Sequence, residues 1–480
     1  DTKSPFIDLG LFFGGLGRSK VDFEFSRNVN KNWNLTLAIN MISSDKQFVS
    51  IKNKVDKNIK SSSLKFNIFH KSNNKKISHF TDIISLNHNT LGTGGVDLIV
   101  DSLPIDFFLY KDFEVRLTEV ENIYKNLKLE TYTDYKLSNE LKFYNQTKYR
   151  KEYYGYEDMN LSLNFNFYDS FSDNIATQDS FKIKNISNRI GIKGNSKLFN
   201  YDIYGNFGYF KYHVNALENS FSEIYVGGLL KYKNPSFDVV SNFEIKKSSD
   251  YRLKVDLKSK IFEASYLSAL YEPKIFERIY LGNHYSWENN FNSSFVNNLN
   301  AKINLENRFI TFSPSINFYT IKDHIYFVGD NHLQADQVIT FNQFIVDLKL
   351  KLLNNKINFD NKFTYNLSSN SANGILNFPK QTLYSKLYYN GIWFNNTIPV
   401  QLGTIISYRS EFYGDAYDPI TQNFYVQNEF MLERYLRFDL FFTMQVNNLR
   451  IFLKMNHFNQ FDSFDGYFVT PYYPTFFWAG

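Results

Sequence analysis

Alternation of apolar and polar residues, repeated from near the start of the chain to near its end, is the feature that most limits its fold. Between residues 33 and 41 the odd positions are Trp, Leu, Leu, Ile and Met, and the even positions are Asn, Thr, Ala and Asn. The same period returns at 64–68, 251–258, 346–352 and 436–446. A period of two residues is typical of a β-strand with one apolar face. No comparable 3.6-residue period stands out, so we predict an all-β protein.

The segments between these strands alternate between short and long. The short polar turns are Asn28–Asn32, Ser72–Lys75, Leu137–Asn139, Asn234–Ser236, Leu353–Lys356, Phe394–Asn396 and Asn447–Asn448. The long connections are 46–60, 92–122, 154–182, 273–290, 322–337 and 411–434. Short periplasmic turns on one rim and long extracellular loops on the other are how outer-membrane barrels are built. A soluble propeller predicts instead a repeat of about 40 to 50 residues, which the sequence lacks.

Composition and hydropathy favour strands over helices as membrane-spanning elements. The chain is 19% aromatic and 21% charged, with a mean hydropathy of -0.38. It has no uncharged apolar run of about 18 residues, as a spanning helix requires, whereas barrel strands need only about 9 to 11 residues. We therefore predict a single transmembrane antiparallel up-and-down β-barrel over residues 1–480, with about 22 strands and a range of roughly 16 to 24. Segments 92–122, 154–182 and 411–434 are expected to form loop excursions or a plug.

The polar positions of the alternation carry many charges, which suits a wet lumen better than a dry core. The predicted lumen-facing residues are Asp22, Glu24, Lys65, Arg252, Lys254, Asp256, Lys258, Asp347, Lys349, Lys351, Arg437 and Asp439. Tyr and Trp near strand ends combine an apolar ring with a polar tip, as membrane interfaces require. The candidates for this aromatic girdle are Trp33, Trp393 and Tyr435. A soluble antiparallel sheet gives the same local pattern, but about 20 such strands would need a partner surface as large as a bilayer.

The chain contains no recognisable set of catalytic or cofactor-binding residues. Cysteine is absent, which excludes disulfides, thiolate metal sites and cysteine nucleophiles. The eight histidines are dispersed, and the nearest to a group is His324 and His332 with three aspartates in a predicted loop. No Gly-x-Ser-x-Gly motif occurs, and the net charge of +5 is scattered rather than clustered as nucleic-acid binding requires. We predict no catalytic residue, cofactor, bound metal or nucleic-acid partner.

Several segments resemble the putative porin family of Bacteroidota outer membranes. These are the segment 23–32 (FEFSRNVNKN) with the strand that follows it, the loop 413–428 (YGDAYDPITQNFYVQN), the strand 450–456 (RIFLKMN), and Tyr467 with Tyr472-Tyr473-Pro474. The resemblance implies a single outer-membrane barrel with a porin-like role. The sequence departs from the pattern at 476–480, because the closing strand of such barrels usually finishes in an aromatic residue.

Two functions from different classes fit these observations. The first is passive diffusion of small hydrophilic solutes across the bacterial outer membrane. Basic residues outnumber acidic ones among the predicted lumen residues, which predicts a mild anion preference. The second is a barrel subunit, with a plugged lumen, of a larger outer-membrane complex for protein insertion, secretion or nutrient uptake. Outer-membrane lipid and lipopolysaccharide are expected partners in both cases, and other outer-membrane proteins or lipoproteins in the second. An outer-membrane enzyme ranks third.

Overall fold

Antiparallel strands form one large sheet in the computed structural model, which describes residues 5–15, 17–45, 57–96, 115–248, 250–395, 397–461, 468–474 and 478–479. The sheet has 23 strands. They are β1 (Phe6–Gly14), β2 (Arg18–Asn30), β3 (Trp33–Asp45), β4 (Lys57–Lys71), β5 (Ile77–Leu91), β6 (Val120–Lys136), β7 (Leu141–Asp158), β8 (Thr177–Asn195), β9 (Phe199–Val214), β10 (Leu217–Lys233), β11 (Phe237–Lys246), β12 (Tyr251–Ser259), β13 (Phe262–Tyr271), β16 (Ser294–Ile303), β17 (Leu305–Glu306), β18 (Ile310–Lys322), β21 (Ile339–Leu352), β22 (Ile357–Ser368), β23 (Gln381–Trp393), β24 (Ile398–Arg409), β29 (Tyr435–Val446), β30 (Leu449–Asn456) and β33 (Trp478–Ala479).

Because β16 and β17 both pair with β18 as one interrupted span, the sheet contains 22 spans. This confirms the predicted all-β antiparallel architecture and its strand number. Five two-stranded hairpins lie in the long connections: β14 (Ile279–Leu281) with β15 (Ser286–Glu288), β19 (Ile325–Val328) with β20 (Asn331–Gln334), β25 (Phe412–Tyr413) with β28 (Met431–Leu432), β26 (Ala416–Asp418) with β27 (Asn423–Tyr425), and β31 (Phe468–Thr470) with β32 (Tyr473–Pro474).

The described helices are all short. They are α1 (Ile275–Arg278) and the 3₁₀ turns Leu161–Leu163, Phe165–Phe167, Asn370–Ala372 and Phe458–Phe461. None of them has the length and apolarity needed to cross a membrane.

The two rims of the sheet differ as predicted. All seven predicted short turns fall on one rim, the short-turn rim, and the long connections fall on the other, the long-loop rim. Asparagine builds many of the short turns: the Asn307 side chain accepts the N–H groups of Phe309 and Ile310, both at 2.8 Å. Asn354 and Asn355 adopt φ of 56° and 66°, a conformation that asparagine tolerates better than most residues. The high asparagine content therefore has a structural use at this rim.

The bounds of the long connections differ from the predicted ones by a few residues. The predicted loop 154–182 narrows to 159–176, because β7 continues to Asp158 and β8 begins at Thr177. The segment 411–434 contains the two hairpins β25–β28 and β26–β27. Of 46–60, residues 46–56 lie outside the described residues, and of 92–122, residues 97–114 do.

Strand register assigns alternate residues to an apolar and a polar face. Leu129, Tyr149, Ile186 and Tyr209 stand directly opposite one another on β6 to β9, forming one row of the apolar face. Leu129 is 38% exposed and Ile186 48% exposed. Similar apolar side chains are exposed on the other spans. A soluble protein rarely exposes so continuous an apolar surface, whereas a barrel in lipid requires it.

The polar face is the inner face of the curled sheet. Phe12 of β1 and Phe452 of β30 lie on the polar face and stack with ring centroids 5.9 Å apart, so the two ends of the sheet meet. Among the described residues, no backbone pairing joins β1 to β33. Ile420, which follows β24, packs against Tyr156 on the polar face of β7. The polar face therefore surrounds a lumen that loop residues enter.

Candidate functional site

Four long connections fold over the long-loop end of the lumen and pack against one another. We call these segments the loop cap: residues 159–176, 272–293, 323–338 and 410–434. Val426 N donates to Phe327 O at 2.8 Å, and Ser172 N donates to Asn283 O at 2.9 Å. Each of these hydrogen bonds joins two different segments of the cap.

A buried aromatic cluster holds two of these segments to the barrel wall. Tyr280, Trp287 and Phe327 are each 4% exposed and pack with Phe181 and Val214 of the strands. The Tyr280 and Trp287 rings lie 4.7 Å apart. Fully burying one large apolar side chain contributes about 2 kcal/mol, so the cluster gives the cap a core of its own.

His332 lies inside this cluster. Its ring stacks on Phe327 with centroids 4.9 Å apart and meets Trp287 edge-on at 5.1 Å. Nδ1 has no hydrogen-bond partner within the described parts of the chain. Burial, helped by the nearby charge of Lys274, lowers the pKa of His332 to about 4. The imidazole is therefore neutral at pH 7.

A second histidine joins 159–176 to 272–293. His284 donates from Nδ1 to the carbonyl of Ser170 at 2.9 Å, and Nε2 lies 2.8 Å from the Thr177 hydroxyl. Its ring also stacks on Tyr168 at 3.8 Å. Burial lowers the pKa of His284, and all these contacts suit a neutral ring. Sequence spacing showed none of them, because the partners lie more than 100 residues away.

The segment 410–434 crosses the mouth of the barrel. Gln422 Nε2 donates to Gly155 O of β7 at 2.9 Å, although Gln422 follows the nineteenth span. The turn that precedes Gln422 is held by Asp418. Its carboxylate accepts hydrogen bonds from the Thr421 hydroxyl at 2.5 Å and from the Thr421 N–H at 2.9 Å. Burial raises the pKa of Asp418 to about 6, against the effect of these hydrogen bonds. The cap therefore connects opposite sides of the ring.

Beneath the cap, the inner wall and the loops line a partly open cavity of about 650 Å³. Its walls are mainly aromatic and charged. The aromatic lining comprises Tyr154, Tyr156, Phe181, Phe210, Phe221, Tyr225, Tyr271, Phe276 and Tyr280. The charged lining comprises Arg150, Glu152, Asp179, Glu223, Lys246, Asp250, Glu272, Lys274, Glu277 and Arg278. A cavity of this size and mixed lining suits a small polar molecule.

Three charged side chains at the cavity form an ion triad. Lys246 Nζ lies 2.7 Å from an oxygen of Glu223 and 2.7 Å from an oxygen of Glu272. Lys246 is 9% exposed and Glu223 12% exposed, whereas Glu272 is 34% exposed. Because Glu272 is the first residue after β13, the triad fixes the start of the segment 272–293 to β10 and β11.

A carboxylate on β7 has a similar set of partners. Glu152 Oε1 accepts from Arg150 at 2.7 Å and from the Tyr124 hydroxyl at 2.9 Å. Arg150 remains half exposed, so its charge faces the lumen. The cavity therefore presents both signs of charge.

By register, the twelve predicted lumen residues lie on the inner face, in four separate groups. They occupy β2 to β4, β12, β21 and β29 rather than one site, and none lines the cavity. Lys254 and Asp256 pair at 2.8 Å. Asp439 is 1% exposed and pairs with Arg437 at 3.1 Å and with Lys454 at 3.3 Å. Their role in permeation stays a prediction.

The three girdle candidates divide between the two faces. Trp33 and Trp393 lie on the apolar face at the short-turn rim and are 41% and 38% exposed. Tyr435 lies at the long-loop rim on the inner face, where the Arg409 guanidinium is 5.3 Å from its ring. The assignment of Tyr435 to an outer girdle is therefore wrong. Tyr435 and Arg437 are two positions apart in one strand, so alternation puts both on one face.

The cavity residues could not be predicted from the sequence, because the alternation disappears near them. From 148 to 156 the inner positions of β7 are Lys, Arg, Glu, Tyr and Tyr, and the outer ones are Tyr, Lys, Tyr and Gly. With polar groups on both faces, the period-two signal vanishes. The only available sign was a segment rich in both tyrosine and charge.

The geometry defines a class of protein: a transmembrane β-barrel of outer-membrane type, with a polar lumen and a folded loop cap. The chain belongs to the putative porin family, whose family model matches residues 1–476. Family and fold together place the protein in the bacterial outer membrane. None of the curated proteins matches the sequence.

Similar folds occur among solved receptors and transporters. The copper transporter OprC aligns with a TM-score of 0.72 at 10% identity, over 99% of this chain and 82% of that one. The siderophore receptor PirA from Acinetobacter baumannii gives 0.69 at 11% identity, over 100% and 80%. The FrpB iron transporter from Neisseria meningitidis (F3-3 variant) gives 0.67 at 10% identity, over 95% and 77%. These likenesses support the fold, since identity is too low to transfer a ligand.

Proposed function

We propose that this protein conducts small hydrophilic solutes through its lumen by passive diffusion. The observation that carries the proposal is the inner face, on which charged and amide side chains continue from the short-turn rim up to the cavity beneath the loop cap. Such a wall keeps water and dissolved solutes in the lumen. In this reading the short-turn rim is periplasmic and the loop cap is extracellular.

The cavity is the constriction that a solute meets first in this proposal. Its aromatic rings offer apolar contact, and its charged side chains offer hydrogen bonds to both donors and acceptors. The cavity lining has six acidic and four basic side chains, whereas basic side chains outnumber acidic ones among the twelve lumen residues below it. The anion preference is therefore proposed for the lumen below the cavity, where small anions pass more readily than cations of equal size. Transport fits the family and its structural neighbours, which are receptors and transporters.

Single-channel recording tests the proposal. The purified chain in a planar bilayer should give stable ohmic steps, and a salt gradient should give a reversal potential of the sign expected for anion preference. Replacing residues 412–431 by a short Gly-Ser linker should raise the conductance, because that segment crosses the mouth. A folded barrel that stays silent with and without this replacement would contradict passive diffusion.

The interlocked cap favours a second candidate, a barrel subunit with a closed lumen in a larger outer-membrane complex. Under this hypothesis the cap is a docking surface for another outer-membrane protein or a lipoprotein, and nutrient uptake is the kind of complex that the structural neighbours favour. Gentle detergent extraction followed by mass spectrometry separates the candidates. A stoichiometric partner on a silent barrel supports the second, whereas a lone conducting chain supports the first.

A further inference from the structure

Five lysines form a patch on the apolar, outer face of β6 to β9, near the long-loop rim. We call Lys125, Lys151, Lys182, Lys184 and Lys211 the lysine patch. The register places them in two successive cross-strand rows. The lower row has Lys151, Lys184 and Lys211 directly opposite one another, and the upper row has Lys125, Tyr153, Lys182 and His213.

Like charges directly opposite across strands destabilise a sheet. The lower row contains two such pairs, Lys151 with Lys184 and Lys184 with Lys211. Lys211 is paired with Glu218, which also pairs with His213 at 3.0 Å. Within the described residues, no carboxylate lies within 4.0 Å of the amino groups of the other four lysines. The charge of Lys184 also interacts with Glu218 at longer range. One carboxylate therefore serves three basic side chains, and most of the charge of the patch is not compensated by the described residues.

The position of the lysine patch indicates which kind of group neutralises its positive charge. The row immediately below, from Leu129 to Tyr209, is apolar and belongs to the lipid-facing belt. Lys125, Lys151 and Lys184 are exposed. The amino groups of Lys125 and Lys182 lie 5.8 and 5.4 Å from the centre of the Tyr153 ring, an arrangement typical of a membrane interface. Beyond Glu218, the nearest carboxylates on the outer face are Glu121 and Glu157. They lie two rows above the upper row of the patch, roughly 14 Å along the strands.

We propose that the lysine patch binds the phosphorylated headgroup of an outer-leaflet glycolipid of the lipopolysaccharide type. The acyl chains would lie on the apolar row, and the phosphates would lie among Lys125, Lys151 and Lys184. A lysine held near an anionic membrane surface contributes about fivefold to binding, so three contribute about 100-fold. The inference depends on the outer-membrane location and on the long-loop rim facing outward, and it does not depend on conduction.

Native mass spectrometry of the purified full chain in mild detergent tests the proposal, with lipid A as the probe. Wild-type protein should bind lipid A about 100-fold more tightly than K125Q/K151Q/K184Q, and dephosphorylated lipid A should bind wild type as weakly as lipid A binds that variant. The matched control K254Q/K258Q/K349Q removes the same charge from the inner face and should bind as wild type does. Should the triple variant fail to fold, K151Q and K184Q alone should each lose about fivefold.

Three results would overturn the proposal. They are equal binding by the patch variants and wild type, equal binding of the dephosphorylated lipid, and equal loss in the inner-face control. The second result would mean that the belt recognises acyl chains alone. The third would mean that net charge, rather than the patch, governs binding.

Discussion

Replacing Lys246 by methionine should release the start of the segment 272–293 from the barrel wall. The change keeps a side chain of similar length but leaves Glu223 and Glu272 facing each other without the cation that lies 2.7 Å from each. Breaking a buried ion pair by removing one partner costs about 3 to 5 kcal/mol. Glu272 is a third exposed, so we take the lower figure, about 3 kcal/mol.

When the segment 272–293 opens, Glu272 returns to water and no longer faces Glu223. The K246M variant therefore recovers on opening most of the free energy that it lost in the closed state. About 3 kcal/mol corresponds to roughly a 100-fold larger open population. Hydrogen-exchange mass spectrometry in lipid nanodiscs measures it as a drop of that size in the protection of amides 274–282. The amide of Gly282, which donates to Tyr285 O at 2.8 Å, is a suitable reporter.

Two controls make the result specific. K258M removes a lysine that is 72% exposed and pairs with Glu263 at 3.3 Å; exposed pairs contribute less than about 1 kcal/mol, so protection should change less than about fivefold. Adding Glu272→Gln to K246M removes one of the two facing carboxylates and should restore much of the protection. Protection of 274–282 in K246M within threefold of wild type would refute the proposed anchoring.

Three further outcomes follow from single contacts. The pKa of His332 is lowered to about 4 in the closed hairpin β19–β20. This hairpin is therefore fully stabilised above about pH 6.5 and loses up to about 3 kcal/mol as the pH falls toward 4, because the opened form binds a proton more readily. Hydrogen exchange in β19–β20 should increase at low pH in wild type and not in His332→Phe. A Cβ at Gly227 would lie 2.5 Å from the Tyr204 ring, so Gly227→Val should cost about 1 to 3 kcal/mol in urea-induced unfolding, whereas Gly205→Ala, with no atom within 4 Å of the added Cβ, should cost less. K349Q should lower the anion preference of the open channel, and an unchanged reversal potential would exclude Lys349 from the conduction path.

The sequence predicted the strand number and the two rims because both depend on local chemistry. A strand in lipid must alternate, since one side chain faces lipid and the next faces water. The short turns follow from asparagine, whose side chain replaces missing backbone hydrogen bonds, as at Asn307. Neither requirement involves residues distant in sequence, so a single sequence is sufficient to detect them.

The loop cap could not be predicted in the same way. His284 contacts Ser170, and Gln422 contacts Gly155, across separations of 114 and 267 residues. No periodicity encodes such contacts, and the same residues in another loop arrangement would give the same local pattern. The placement of Tyr435 was different, because alternation with Arg437 already determined its face.

The cavity and the lysine patch lie at the same height on opposite faces of β7. The outer apolar belt on β7 ends at Tyr149, whereas the strand continues to Asp158, roughly 20 Å higher once strand tilt is included. Lys151 therefore lies at the headgroup level on the outer face while its neighbours Arg150 and Glu152 line the cavity inside. The backbone separates the two sites, so K125Q/K151Q/K184Q should alter lipid binding without altering ion selectivity. Replacing residues 412–431 should have the opposite effect, because that segment contacts the inner wall and leaves the outer face unchanged.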